Sequence, residues 1–421
     1  MITDILYRCP VCETLDWLDK NDRCINCGAH MEITSGLDVS INGQRQTIAY
    51  WYDKIRSFKL PISPTGSILK SKTVLLSEDT PNGMYKGLSG ITSTLFERMP
   101  VDKGILSLSA DKLVFVGDST RRDIPLHQIV SVTIESHTVI VVLKGRNTLF
   151  FDFTEESGKK WEDFIRQAIS NYFPEEEIAE FHPRIRFASK LKTRPAPAKG
   201  HTALKVHTHL WYKTNFNILH QGIKCILRNA IKLLIPINIE GPDNIPPSGA
   251  AVFISNHSSF MDGIILGLIT KRNVWFMAKN SEFKHSFMRL ILMLAKSFPV
   301  RRYATDVQAI RNSIRIVNKG HILGIFPEGE RTWDKRMLPF RQGSIRLILA
   351  LGLPVIPVGI SGAYELLPRW ASGIKRVPIR IKIGSPIHIE QIPIPRQTQD
   401  QIENMSDNLK TRITELLGDK N

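Results

Sequence analysis

Long hydrophobic runs are the first thing this chain lacks. Nowhere do eighteen apolar residues follow one another, so no segment has the length of a membrane-crossing helix. The start, Met1-Ile2-Thr3-Asp4, carries neither the basic nor the apolar stretch of an export signal. These two absences predict a cytoplasmic protein with no transmembrane helix. Acidic residues are the next shortage: 40 Asp and Glu stand against 56 Lys and Arg, a formal net charge of +16. Such a balance calls for a polyanionic partner, either nucleic acid or an anionic membrane surface. Otherwise the composition is that of globular protein, 42% hydrophobic and 23% charged. A length of 421 residues suffices for two or three domains, each with its own core.

Cysteine is scarce, five in all, yet four sit together. Cys9-Pro10-Val11-Cys12 and Cys24-Ile25-Asn26-Cys27 form two Cys-x2-Cys knuckles eleven residues apart. Each knuckle offers two thiolates to one ion, and the pair completes a tetrahedral sulfur site suited to a structural zinc. Disulfides are the alternative, disfavoured in a chain without an export signal. His30 stands nearby as a substitute ligand. Residues 1–35 therefore read as a small zinc-ribbon-like segment. Cys225, alone in an apolar helical run, reads as a small core residue.

Over residues 65–175 the apolar pattern turns to period two. Candidate strands are Ile68 to Leu76, Gly104 to Leu108, Leu113 to Val116, Val130 to Ile134, Val139 to Leu143 and Leu149 to Phe153. A helical stretch, Ser157 to Tyr172, follows with Trp161, Phe164, Ile165, Ala168 and Ile169 on one face. Several antiparallel strands and one C-terminal helix resemble a pleckstrin-homology or GRAM-like barrel. That resemblance implies a site for phosphoinositides or other anionic headgroups, or a protein docking surface.

Chemistry concentrates further on. Ser255-Asn256-His257-Ser258-Ser259-Phe260-Met261-Asp262-Gly263 lies between a strand-like run, Ala251 to Ile254, and a helix-like one, Ile264 to Ile269. Asp262 can accept a hydrogen bond from one imidazole nitrogen of His257 and leave the other free to take a proton. The plain alternative is that Asp262 only caps the following helix. Phe298-Pro299-Val300-Arg301-Arg302 comes next, then Ile325-Phe326-Pro327-Glu328-Gly329-Glu330-Arg331, whose Pro and Gly force an irregular loop after a strand. Leu353-Pro354-Val355-Ile356-Pro357-Val358-Gly359-Ile360 closes the series.

Four blocks in this order, with their His-x4-Asp motif, resemble the glycerophospholipid acyltransferase family, the 1-acylglycerol-3-phosphate O-acyltransferase-like enzymes. The resemblance covers residues 210–395. It implies that His257 is the general base deprotonating a glycerol hydroxyl and that Asp262 orients it. It also implies that Arg301, Glu328, Gly329 and Arg331 hold the acceptor and that Pro357 lies towards the acyl donor. The donor would be acyl-coenzyme A or acyl carrier protein, the acceptor a glycerol phosphate or lysophospholipid. Two positions depart from the family pattern. Ala295 replaces a frequent glycine, and Glu330 a frequent threonine. A carboxylate beside a phosphate site repels a dianion, so either Glu330 pairs with a cation such as Arg331 or the acceptor is not a simple phosphomonoester.

Between Phe181 and Ile239 there are eleven Lys and Arg and not one Asp or Glu. Residues 181–209 read as a basic flexible linker, with Pro183, Pro195, Pro197 and Gly200. After it, Phe216, Leu219, Ile223, Ile226, Ala230 and Leu234 recur at helical spacing, and Lys224, Arg228 and Lys232 form a basic stripe on another side. With Trp211 and Tyr212 at its start, such a helix lies in a bilayer interface with its cations at anionic headgroups. An apolar, aromatic-rich face beside a lipid-enzyme motif favours the membrane over nucleic acid. Alternating strands and helices from residue 251 on predict an α/β domain with a central sheet covered by helices, and 396–421 a C-terminal helix. Two functions follow: O-acyl transfer at the cytoplasmic membrane face, peripheral to the inner side of the cell membrane, or a catalytically inert membrane-surface adaptor.

Overall fold

The structure, a computed structural model, describes residues 2–34, 37–60, 67–144, 148–172, 205–208, 217–303, 306–371 and 373–418. The chain divides into two compact units. One comprises Met1–Thr80 and Arg98–Pro183, the other Pro81–Glu97 and Arg184–Asn421.

In the first unit, β1 (Met31–Ile33), β2 (Val39–Ile41) and β3 (Gln44–Gln46) make a small antiparallel sheet. Helix α1 (Ile48–Ser57) follows, capped by the Thr47 hydroxyl, which accepts from the Tyr50 N–H. The larger sheet is built from β4 (Ser67–Lys86), β5 (Thr92–Ser109), β6 (Lys112–Gly117), β7 (Arg121–Pro125), β8 (Ile129–Glu135), β9 (Thr138–Leu143) and β10 (Leu149–Phe153), in the order β7-β6-β5-β4-β10-β9-β8. Helix α2 (Gly158–Tyr172) buries all five residues expected on its inner face, Trp161, Phe164, Ile165, Ala168 and Ile169. This is the antiparallel β domain with a C-terminal helix that the period-two pattern predicted. Residues 1–35 are not separate from it. The hydroxyls of Tyr7 and Tyr52 donate to the buried Asp163 on α2, at 3.1 and 2.8 Å, and Lys159 Nζ donates to the same carboxylate at 2.9 Å.

The second unit is the α/β domain. Its strands are β11 (Lys205–Thr208), which runs parallel to β4 at Gly83 to Lys86, β12 (Ile237–Glu240), β13 (Ala251–Ser255), β14 (Val274–Lys279), β15 (Ser297–Val300), β16 (Ile322–Ile325), β17 (Val355–Ser361) and β18 (Ile379–Ile383). Its helices are α3 (Asn217–Leu234), α4 (Asp262–Leu268), α5 (Ser286–Leu294), α6 (Val307–Val317), α7 (Gln342–Leu351), α8 (Ala363–Leu366) and α9 (Gln399–Leu417). Strands β12 to β18 form one sheet of order β12-β18-β17-β13-β16-β14-β15, parallel except where β17 meets β18. Every residue of β13 is buried, because helices cover both faces. Val252 and Ile254 join one apolar cluster while Ala251 and Phe253 join the other, the alternation a strand imposes. The first cluster also takes in Tyr85, Leu88, Ile91 and Leu95, so the distal parts of β4 and β5 belong to this unit's core.

The expected C-terminal helix, 396–421, likewise packs into this core through Ile402, Leu409 and Ile413 of α9. Of the expected linker, 181–209, only Lys205 to Thr208 fall within the described residues.

Candidate active site

From β13 the chain steps outward to β14 and β15, returns as β16 beside β13, then crosses to β17 on its other side. Reversal of this kind opens a crevice at the carboxyl ends of the central strands. The loops that follow β13, β15, β16 and β17 all leave from that edge; the first three carry the His-x4-Asp, arginine and Glu-Gly blocks, while the fourth block is strand β17 itself.

His257 and Asp262 meet there. His257 Nδ1 lies 2.9 Å from Asp262 Oδ2, which also accepts the backbone N–H groups of Ser258 and Ser259 at 2.7 Å each. An ionised carboxylate only accepts, so Nδ1 carries the proton and Nε2 keeps its lone pair. The capping alternative fails: Asp262 is already inside α4, and its oxygen is committed to the loop before the helix. His257 stacks on Phe326 with ring centroids 4.1 Å apart. Burial holds its pKa below the ordinary imidazole value; Asp262 opposes this, while Arg302 and Arg331 reinforce it.

The Glu-Gly loop is tied directly to this histidine. Glu328 Oε1 accepts the His257 N–H at 2.6 Å and Oε2 accepts the Leu338 N–H at 2.7 Å, while Thr332 N–H donates to the His257 carbonyl at 2.9 Å. Glu328 is 2% exposed, and burial pushes its pKa up to about 8 against the two hydrogen bonds. Its carboxylate clamps two loops together. Gly329 has φ +72°, and a Cβ there would lie 2.3 Å from Arg341 Nε. Only glycine allows both the left-handed turn and the arginine's approach.

Cations surround the loop. Burial first, then the like charges of Arg369 and Arg302, lowers the Arg331 pKa to about 10. Glu330 does not pair with Arg331. It bridges Arg341 at 3.2 Å and Arg369 at 2.8 Å, and so stands neutralised at the edge of the cluster. Arg301 has its backbone N–H on Asp306 at 3.0 Å and its guanidinium over the Phe96 ring, 3.8 Å from the centroid. Arg302, Arg341 and Arg369 were not anticipated. Arg302 was visible as the second half of an arginine pair; nothing in the sequence marked Arg369.

On the opposite flank, Asn256 exchanges two 2.9 Å hydrogen bonds with the backbone of Ile360, locking the loop to β17. Asn256 and Ser258, the neighbours of His257, line a cavity of about 990 Å³ together with Ile360, Tyr364, Lys335 and Lys410. Pro357 is buried inside β17, paired with Ile254, and does not line that cavity.

Helix α3 departs from expectation. Lys224 is buried rather than on an exposed basic stripe. Its Nζ donates to the carbonyls of Thr270 and Arg272 at 2.8 and 2.9 Å, and Arg228 donates to that of Thr270 at 3.2 Å. These cations satisfy carbonyls just beyond the end of α4, and burial lowers the Lys224 pKa to about 8. Cys225 is exposed, not in the core. Outward instead face Ile226, Leu227, Leu233 and Leu234, and on α5 Phe287, Leu290 and Ile291. Trp211, Tyr212 and Phe216 lie outside the described residues, as do the side chains of Leu219, Ala230 and Lys232. Among the described residues no helix is long and apolar enough to cross a membrane.

The thiols of Cys9, Cys12, Cys24 and Cys27 lie within 4.8 Å of one another, a group that could hold a metal ion. Sulfur separations of 3.5 and 3.8 Å are far beyond a disulfide bond and close to the edges of a tetrahedral sulfur site. His30 is outside this group.

Residues 236–361 match the family described as Acyltransferase, and this region is an acyltransferase domain. Relatives that match it are 1-acyl-sn-glycerol-3-phosphate acyltransferases. The chain is 30% identical to the chloroplastic enzyme LPAT1 of Arabidopsis thaliana over 156 residues, 36% of this chain and 44% of that one. Against the Bacillus subtilis (strain 168) enzyme it is 26% identical over 194 residues, 45% of this chain and 94% of that one. The crystal structure of the 1-acyl-sn-glycerophosphate acyltransferase PlsC from Thermotoga maritima is similar with a TM-score of 0.38 and 22% identity, over 49% of this chain and 81% of that one. The chain spans about half the length of the plant relatives it matches.

Proposed function

We propose that this protein transfers a fatty acyl group from an acyl thioester to the free hydroxyl of a 1-acylglycerol 3-phosphate at a membrane surface. The observation that carries the reading is the His257–Asp262 pair, its imidazole kept neutral by burial beside clustered arginines. Nε2 removes the proton from the acceptor hydroxyl as its oxygen attacks the thioester carbonyl. The carbon–oxygen bond forms, the carbon–sulfur bond breaks, and the imidazolium returns its proton to the leaving thiolate. Asp262 stabilises the imidazolium in between. No acyl-enzyme is required, because the acceptor oxygen is itself the nucleophile.

Arg301, Arg302 and Arg331 are read as the phosphate side of the site, since guanidinium groups donate to phosphate in a bidentate fork. The objection raised by Glu330 loses its force, because Arg341 and Arg369 already neutralise that carboxylate. Glu328 and Gly329 act by positioning the loop. The donor, acyl-coenzyme A or acyl carrier protein, is assigned to the cavity beside Asn256 and Ser258, whose lysines suit a phosphate-bearing carrier arm. Exposed apolar residues of α3 and α5 favour a peripheral seat on the membrane, and the four cysteines favour one structural zinc.

The deciding experiment incubates the full-length protein with labelled acyl-coenzyme A and a panel of lysolipids in vesicles. Phosphatidic acid formed from 1-acylglycerol 3-phosphate, and lost in His257→Ala, is the expected result. No product from any acceptor would leave the adaptor reading in its place.

A further inference from the structure

Residues 81–97 come from the ends of β4 and β5 and the short turn Leu88–Gly90 between them, yet they are embedded in the acyltransferase unit. Four of their side chains, Tyr85, Leu88, Ile91 and Leu95, are at most 4% exposed in that unit's core. Their backbone is held as a neighbouring strand would hold it, but by side chains. Asn312 accepts the Thr92 N–H at 3.3 Å and donates to its carbonyl at 2.9 Å. Gln308 accepts from Thr94 at 2.6 Å. Asn280 accepts the Phe96 N–H at 3.0 Å and donates to the Thr94 carbonyl at 2.9 Å. Arg315 and Lys319 donate to the carbonyls of Gly90 and Ser89 at 2.7 and 2.9 Å. So many polar groups spent on one foreign segment fix its position closely.

At the end of this clamped strand sits Phe96, its ring against the Arg301 guanidinium with 3.8 Å from Cζ to the ring centroid; Tyr303 stands further off at 5.4 Å. Arg301 follows β15, the last strand of the sheet. Stacking on a fixed ring restricts the rotamers of this long side chain, whose ordering on binding would weaken affinity, and the ring face attracts the cation without consuming its N–H donors.

We propose that Phe96, held in place by the 81–97 segment, is a positioning residue for Arg301 and thereby sets affinity for the phosphate of the acyl acceptor. The proposal rests on the reading of Arg301 as a phosphate-binding residue. It also means that residues 236–361, the part shared with the acyltransferase family, lack one element of the acceptor site.

The test measures steady-state kinetics of the full-length protein with 1-acylglycerol 3-phosphate and with the phosphate-free monoacylglycerol, both in vesicles. Four variants are compared: Phe96→Ala, Phe96→Tyr, Arg301→Ala and the double variant Phe96→Ala/Arg301→Ala. Phe96→Ala is expected to raise KM for the phosphorylated acceptor about 3- to 10-fold, with kcat and the monoacylglycerol reaction little changed. Phe96→Tyr, which keeps the ring, should restore the wild-type KM and guards against a simple folding defect. In the double variant the loss of Phe96 should add nothing to the loss of Arg301. Equal effects on both acceptors, a fall in kcat alone, or a full additional loss in the double variant would overturn the proposal. If Arg301→Ala itself leaves the phosphorylated acceptor's KM unchanged, the phosphate reading of Arg301 fails, and the role of Phe96 fails with it. An unchanged Phe96→Ala beside an impaired Arg301→Ala removes the role of Phe96 alone.

Discussion

A single oxygen of Asp262 receives three donors, two backbone N–H groups and the imidazole, and this convergence gives the pair the geometry that the proposed base needs. Replacing His257 by alanine should lower kcat by about 10²- to 10⁴-fold while thermal melting and vesicle binding stay unchanged; retained turnover would refute the assignment. Asp262→Asn keeps the size but offers an NH2 group where the imidazole and two N–H groups need an acceptor, so activity should fall comparably. The depressed pKa of His257 fixes the sign of the pH dependence. Under the proposed mechanism its neutral form is the active one, so kcat/KM should be level through neutral pH. It should fall only below the ordinary imidazole range, about 6.5. An acid limb displaced above that range would contradict the burial argument. At Gly329 the expected cost of alanine is about 1 to 2 kcal/mol from the left-handed backbone alone, besides the collision with Arg341. His257 and Asp262 were legible because their spacing is short and lies between a strand and a helix. Arg369 was not, since it reaches the loop from beyond β17.

Helix α3 has its polarity reversed relative to a surface helix of a soluble domain. His220 Nδ1 donates to the Leu294 carbonyl at 2.7 Å, and Lys224 and Arg228 serve carbonyls after α4, all on the inner side. Leu233 at 80%, Ile226 at 70% and, on α5, Phe287 at 74% exposure face outward. Hydrophobic periodicity revealed the two faces but not which one the protein would cover, because that depends on where unpaired carbonyls lie in the fold. Ile226→Glu with Phe287→Glu should therefore reduce flotation with anionic vesicles while leaving turnover of a short-chain, water-soluble acceptor intact. Unchanged flotation would place the membrane contact elsewhere. Helix α1 shows the opposite case. The Thr47 cap and the spacing of Ile48, Trp51, Tyr52 and Ile55 were in the sequence, but the segment is short and follows strands of three residues that give almost no periodic signal.

Taken whole, the chain joins a family acyltransferase domain to a unit in which the cysteine segment, α1 and α2 share one buried network around Asp163. Metal analysis of the purified protein should return about one zinc per chain. Chelation should loosen the segment that carries Tyr7, and retention of full stability without metal would retire the zinc reading. Sequence alone determined the elements that depend on near neighbours: the thiol knuckles, the α2 face, the α/β alternation and the His-x4-Asp motif. Spacing along the chain is enough for these, because strand and helix periods repeat within a few residues. Tertiary structure decided the rest. It placed residues 81–97 in the acyltransferase core, gave Glu330 to Arg341 and Arg369, and turned Lys224 inward. Each of these is settled by partners distant in sequence that must satisfy a buried charge or carbonyl, and no local pattern records such partners.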